Sequence, residues 1–166
     1  MSNKNTVVMT VYNRPTPTFL NTIMGLAKTG LLEHSTEVLV VDDGSTTDYE
    51  SLVNQFAKEG MPIRMIRCNT VGDRPDTYNL DGYNNPAYAS NFALEHVTTE
   101  NVFPMSSDVI AVPDVLAVAS RLDLGKVAWM PCVTDMDSGV EYLGPTRIAP
   151  YGWFYGVKTE ILKDVG

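Results

Sequence analysis

Apolar positions along this chain alternate between two periods. Residues 6–11 form a short, nearly continuous apolar run rich in β-branched side chains and broken at Asn13 and Pro15, which predicts a buried strand. Over residues 17–28, Phe19, Leu20, Ile23, Met24 and Ala27 recur at helical spacing, and Gly30 supplies a stop. The pair of patterns then repeats. Residues 37–41 are a second apolar run closed by Asp42, Asp43, Gly44 and Ser45, after which Asp48 is placed to cap a helix carrying Leu52, Val53 and Phe56. Further strands are predicted at 62–66, 101–105 and 127–130, and further helices at 87–96, 113–122 (opened by Pro113) and 158–165. Short, almost wholly apolar strands between amphipathic helices predict an α/β domain, a mostly parallel sheet with helices on both faces.

Two stretches break the alternation. Residues 69–86 are rich in Asn, Asp, Gly, Tyr and Pro with almost no aliphatics, which predicts a long loop, either a lid that orders over a ligand or a solvated surface segment. After Pro131 the chain is turn-rich around 135–139, with short strands expected near 141–143 and 147–149. No repeat or linker divides the chain, so residues 1–166 read as one domain, and 44% hydrophobic residues suffice for its core.

The net charge of −8 argues against nucleic acid, whose phosphates need clustered Lys and Arg. It does not argue against a nucleotide diphosphate, because a divalent cation can stand between carboxylates and phosphates. Cys68 and Cys132 lie far apart and outside any C-x-x-C spacing, which suits reduced thiols. With no signal-peptide pattern and no transmembrane segment in the sequence, the expected location is cytoplasmic.

In open α/β sheets ligands bind beyond the carboxyl ends of the strands. Those ends here carry Tyr12, Asn13 and Arg14, then Asp42 and Asp43, then Ser106, Ser107 and Asp108. An aromatic ring beside carboxylates suits a nucleoside, the ring stacking on the base and a carboxylate accepting from a base N–H or ribose hydroxyl. Residues 42–45 are equally the composition of a turn leading into a helix. Asp108 can hold Mg²⁺ or Mn²⁺ bridging two phosphates, or simply end a strand.

Taken together, VVMTVYNRP at 7–15, EVLVVDDGST at 37–46, ASNFAL at 89–94, and SSDV at 106–109 with Pro113 and Asp114 resemble the family 2 glycosyltransferases in order and spacing. GWFYGVK at 152–158 and LKDVG at 162–166 look like the segment that precedes that family's Gly-Phe-Asp motif. The resemblance implies a GT-A (Rossmann-like) fold, a nucleotide-diphosphate sugar as donor, with UDP-sugars favoured, and inverting transfer assisted by Mn²⁺ or Mg²⁺. Carried over residue by residue, it puts Thr10, Tyr12, Asn13, Arg14, Asp42, Asp43, Asn91 and Ser107 at the donor and Asp108 at the metal.

Three departures accompany it. Ser90 stands where the family often has an arginine, and Ser106 replaces the first carboxylate of an Asp-x-Asp metal motif. The family's catalytic base follows the Gly-Phe-Asp segment, so the domain is expected to be C-terminally incomplete and no base is named. Asp135, Asp137 and Glu141 read as a solvated loop, and Trp153, Phe154 and Tyr155 as core packing or an acceptor pocket. The competing reading is a non-catalytic nucleotide- or glycan-binding module on the same fold. A nucleotidyltransferase is disfavoured because no Gly-rich basic loop follows the first strand.

Overall fold

The computed structural model describes residues 4–69, 87–111, 113–119, 121, 128–129, 132–133 and 154–165. In chain order the elements are β1 (Asn5–Val11), α1 (Thr16–Ala27), β2 (Thr36–Asp42), α2 (Tyr49–Lys58), β3 (Ile63–Arg67), α3 (Ala87–Glu95), β4 (Asn101–Ser106), β5 (Ile110–Ala111), α4 (Val115–Ala119), β6 (Ala128–Trp129), β7 (Cys132–Val133), β8 (Tyr155–Lys158) and α5 (Thr159–Val165). The main sheet runs β3-β2-β1-β4-β8-β6, and β5 and β7 form a small separate pair. The first four strands are mutually parallel, whereas β8 is antiparallel to both β4 and β6.

The two-residue period of extended chain sorts the apolar runs between two cores. Val7, Met9 and Val11 of β1, Val38 and Val40 of β2, and Phe103 and Met105 of β4 pack with Phe19, Ile23 and Leu26 of α1 and with Tyr49 and Val53 of α2. Their neighbours Val8, Leu39, Val41 and Val102 pack on the other face against Ala89, Ala93 and Leu94 of α3, with Ile161 and Leu162 of α5 alongside. Strands apolar on both sides therefore form the buried middle layer, as the continuous runs predict. Asp48 caps α2, its carboxylate accepting from the Ser51 N–H at 3.0 Å.

The predicted elements reappear with shifted ends. The helix expected over 113–122 is described only as Val115–Ala119, and the strand expected at 127–130 as Ala128–Trp129. The final helix starts at Thr159, because Lys158 belongs to β8 and pairs with Asn101 of β4. β8 itself was not predicted: Phe154 and Tyr155 read as an aromatic cluster, and Phe154 is indeed buried in the core. The strands expected near 141–143 and 147–149 and most of the 69–86 loop lie outside the described residues.

Polar side chains knit the amino ends of the strands together. Asn5 donates from Nδ2 to the His34 carbonyl at 2.9 Å and accepts at Oδ1 from Asn101 Nδ2 at 3.0 Å, while the Thr6 and Thr99 hydroxyls share a 2.8 Å hydrogen bond. At the opposite end α1 comes close to the segment after β4. A Cβ on Gly25 would lie 2.8 Å from Ile110 Cγ2, and Thr22 Oγ1 donates to the Ser107 carbonyl at 3.1 Å. Replacing Thr22 by valine leaves that buried carbonyl without its donor, and urea denaturation is expected to report a loss of about 1–3 kcal/mol. A wild-type midpoint for Thr22→Val would mean that α1 does not hold this segment.

Candidate functional site

Register brings the strand ends level. Thr10 stands opposite Val41 on one side and Ser106 on the other, Val11 opposite Asp42, and Asp42 opposite Arg67. The loops leaving β1, β2 and β4 therefore start at the same edge of the sheet, with β3 alongside. Each loop is tied to its neighbour.

The β1 and β2 loops are clasped through Asn13. Its N–H donates to Ser45 Oγ at 2.9 Å, and its side-chain oxygen accepts from both the N–H and the hydroxyl of Thr46, at 2.9 and 3.0 Å. The residue sits at φ 44°, in the left-handed region that asparagine tolerates better than most side chains. The Asp43 N–H donates to the Val11 carbonyl at 2.9 Å, closing the same gap from the β2 side. Beside this clasp the Tyr12 ring remains exposed.

The adjacent carboxylates Asp42 and Asp43 are both buried, with different surroundings. Asp42 accepts the Ser45 N–H on Oδ1 at 3.0 Å, which shapes the turn. Its Oδ2 lies 2.8 Å from Arg67 Nη2, an ion pair whose N–H is not aimed for a hydrogen bond. Asp43 accepts at Oδ1 from the Asn69 amide and from Cys68 Sγ at 3.5 Å. Burial, followed by the charge and hydrogen bond of Asp43, pushes the Cys68 thiol up to about 12. Cys68 is thus held as a neutral donor.

At the end of β4, Ser106 Oγ donates to Asp108 Oδ1, and Arg14 Nη1 lies 3.1 Å from Asp108 Oδ2. This pair joins the β1 and β4 loops. The Arg14 backbone is fixed from beneath: Tyr49, fully buried with its ring centroid 4.7 Å from that of Phe19, donates its hydroxyl to the Arg14 carbonyl. Burial raises the Tyr49 phenol above its ordinary range, so the hydroxyl stays a donor.

No group of three or more His, Cys, Asp or Glu among the described residues is arranged to hold a metal ion. What Asp108 offers is one partly exposed carboxylate at the mouth of the edge. That suits Mg²⁺ or Mn²⁺ completed by phosphate oxygens and water, and does not suit an all-protein cage. The residues fit a cation that arrives with a diphosphate.

Of the sequence-predicted residues, Thr10, Tyr12, Asn13, Arg14, Asp42, Asp43, Ser107 and Asp108 share this edge, with Ser107 buried and its carbonyl taken by Thr22. Asn91 is on the exposed side of α3, and no hydrogen bond or ion pair between described residues joins it to the network. Asp135, Asp137, Glu141 and Trp153 lie outside the described residues. Sequence reasoning missed Ser45 and Thr46, which close the clasp, and Arg67 and Asn69, which engage the two aspartates. A basic residue ending β3 beside an acidic end of β2 was the available signal for Arg67.

Residues 6–74 match the family model for glycosyl transferase family 2. No curated protein matches the chain. Among solved structures it is similar to the mannosyltransferase PcManGT from Pyrobaculum calidifontis in complex with GDP-Man and Mn²⁺, at 19% identity and a TM-score of 0.69 over 100% of this chain and 47% of that one. It is also similar to S. aureus TarS 1–349 in complex with UDP, at 23% identity and a TM-score of 0.57 over 70% of this chain and 31% of that one. A third likeness is to the glycosyltransferase GlyE of Streptococcus pneumoniae TIGR4, at 17% identity and a TM-score of 0.58 over 99% of this chain and 36% of that one. The chain thus spans less than half the length of each. Over residues 6–74 it carries the glycosyl transferase family 2 sequence pattern, and its fold is the GT-A fold.

Proposed function

We propose that this edge binds a nucleotide-diphosphate sugar with Mn²⁺ or Mg²⁺, and that the protein is a glycosyltransferase that transfers the sugar to an acceptor with inversion. The observation that carries the reading is the lateral bonding of the β1, β2 and β4 loops, which groups an exposed aromatic ring, a buried carboxylate and a partly exposed carboxylate at one edge. The Tyr12 ring stacks on the base, and the Asp43 carboxylate accepts from a base N–H or ribose hydroxyl. Asp42 and Asn13 keep the two loops in place, and Thr10 and Ser107 line the floor. Asp108 holds the cation, which when bound offsets the charge of the departing diphosphate. UDP is the favoured nucleotide.

Support comes from the residues 6–74 match and from similar proteins seen with UDP and with GDP-Man and Mn²⁺. A second reading, a nucleotide- or glycan-binding module without turnover, draws on one feature: the metal position carries a single carboxylate, already paired with Arg14. Sugar transfer or metal-dependent donor hydrolysis by the chain would exclude it.

Isothermal titration of UDP, GDP and dTDP should give binding that depends on Mn²⁺ and falls at least about tenfold in Asp108→Ala, as expected when a charged contact is lost. Folded protein that binds none of the three nucleotides would sink the proposal. Asp43→Asn is expected to weaken nucleotide binding by about tenfold or more while retaining the wild-type circular dichroism spectrum. Equal affinities would remove Asp43 from the nucleoside.

The Cys68 thiol gives a pH-dependent reading of the same place. With its pKa at about 12, iodoacetamide labelling of the Cys68 peptide in folded protein should stay slow through pH 9 and climb about tenfold per pH unit above it, since the thiolate is the nucleophile. In urea the same peptide should already label readily near pH 8.5, the ordinary thiol range, to within about a unit. Rapid labelling of folded protein at neutral pH would show that burial and the Asp43 contact do not restrain the thiol.

A further inference from the structure

We propose that Arg14 is a built-in counter-ion of Asp108, one that occupies the carboxylate until a diphosphate draws the guanidinium away and a divalent cation takes its place. The inference rests on the reading of this edge as a nucleotide-diphosphate site. Both oxygens of Asp108 are engaged, Oδ1 by the Ser106 hydroxyl and Oδ2 by Arg14 at 3.1 Å. A divalent cation on that carboxylate would stand within a few ångströms of the guanidinium, and the two positive charges would repel. Cation and guanidinium therefore compete for one partner.

The exchange is inexpensive and local. The side chains of Arg14 and Asp108 are 37% and 40% exposed, so their pair is weak and screened. The Arg14 backbone is held by the Tyr49 hydroxyl, and Asn13 beside it is clasped to Ser45 and Thr46, so only the Arg14 side chain has to swing. A diphosphate offers oxygens that a guanidinium grips through two parallel N–H groups, a better partner than one carboxylate oxygen. Among the described residues no cluster of three or more carboxylates, histidines or cysteines stands by to hold a cation without phosphate. Diphosphate takes the arginine, the metal takes the aspartate, and each favours the other's binding.

The test is Mn²⁺ affinity, read from the free-ion signal in electron paramagnetic resonance, for wild type, Arg14→Gln and Arg14→Lys, each with and without UDP or GDP. Without nucleotide, Arg14→Gln should bind Mn²⁺ about fivefold more tightly than wild type, the factor expected for removing a competing surface pair, and Arg14→Lys should stay near wild type. The tightening of Mn²⁺ binding by UDP should be smaller in Arg14→Gln than in wild type, because the competitor is already gone. Adding Asp108→Asn to Arg14→Gln should abolish the gain. If wild type binds UDP with Mn²⁺ but Arg14→Gln shows unchanged or weaker nucleotide-free affinity, the counter-ion role is overturned and the donor site stands. If no variant binds Mn²⁺ or nucleotide, both fall.

Discussion

The position of β1 between two parallel partners is the constraint on which the rest depends. Each of its residues from Asn5 to Thr10 is registered with β2 on one side and β4 on the other, and both pairings are parallel. Parallel strands cannot be joined by a hairpin, so the chain must cross back over the sheet before each new strand. In return, every loop that leaves a carboxyl end emerges at the same edge. The apolar runs that bury β1 and β2 on both faces hold that register, because a slip of one residue would exchange the two cores.

At that edge polar groups replace apolar packing as the means of order. A buried carboxylate is costly unless bonded or paired, and for Asp42 the turn after β2 supplies the Ser45 N–H to one oxygen while Arg67 at the end of β3 sets its positive charge beside the other. The same turn aims Ser45 Oγ and the Thr46 groups at Asn13, so satisfying one buried charge also fixes the loop beside it. Arg14 follows directly, its carbonyl held by Tyr49 and its guanidinium directed at Asp108. The network runs from β3 to β4 through Arg67, Asp42, Ser45, Thr46, Asn13, Arg14 and Asp108.

The fold was legible in the sequence where apolar runs are long and bounded. β1, β2, β3 and β4, and the capping of α2 by Asp48, follow from continuous runs and turn residues. β5, β7 and β8 did not, because two- to four-residue strands carry too few positions to show a period and are fixed by partners distant in sequence. The site was legible in its residue types and less so in its bonds. Of the two aspartates that close β2, Asp42 makes the turn, accepting the Ser45 N–H, while Asp43 accepts from Cys68 and Asn69 beyond it. Side-chain spacing cannot distinguish two adjacent aspartates; only the burial and partners of each can.

In the proposed site, Ser106 stands where a second carboxylate would add charge. Two acids at the mouth would repel each other and bind a cation without help from a ligand. A serine in that position instead donates a hydrogen bond to Asp108, which keeps the single carboxylate oriented without adding charge. With Arg14 alongside, the pair is formally neutral. In the proposed site, cation affinity would depend on the phosphate groups a ligand brings, and the pairing of Arg14 with Asp108 would make occupancy by metal and diphosphate conditional on one another.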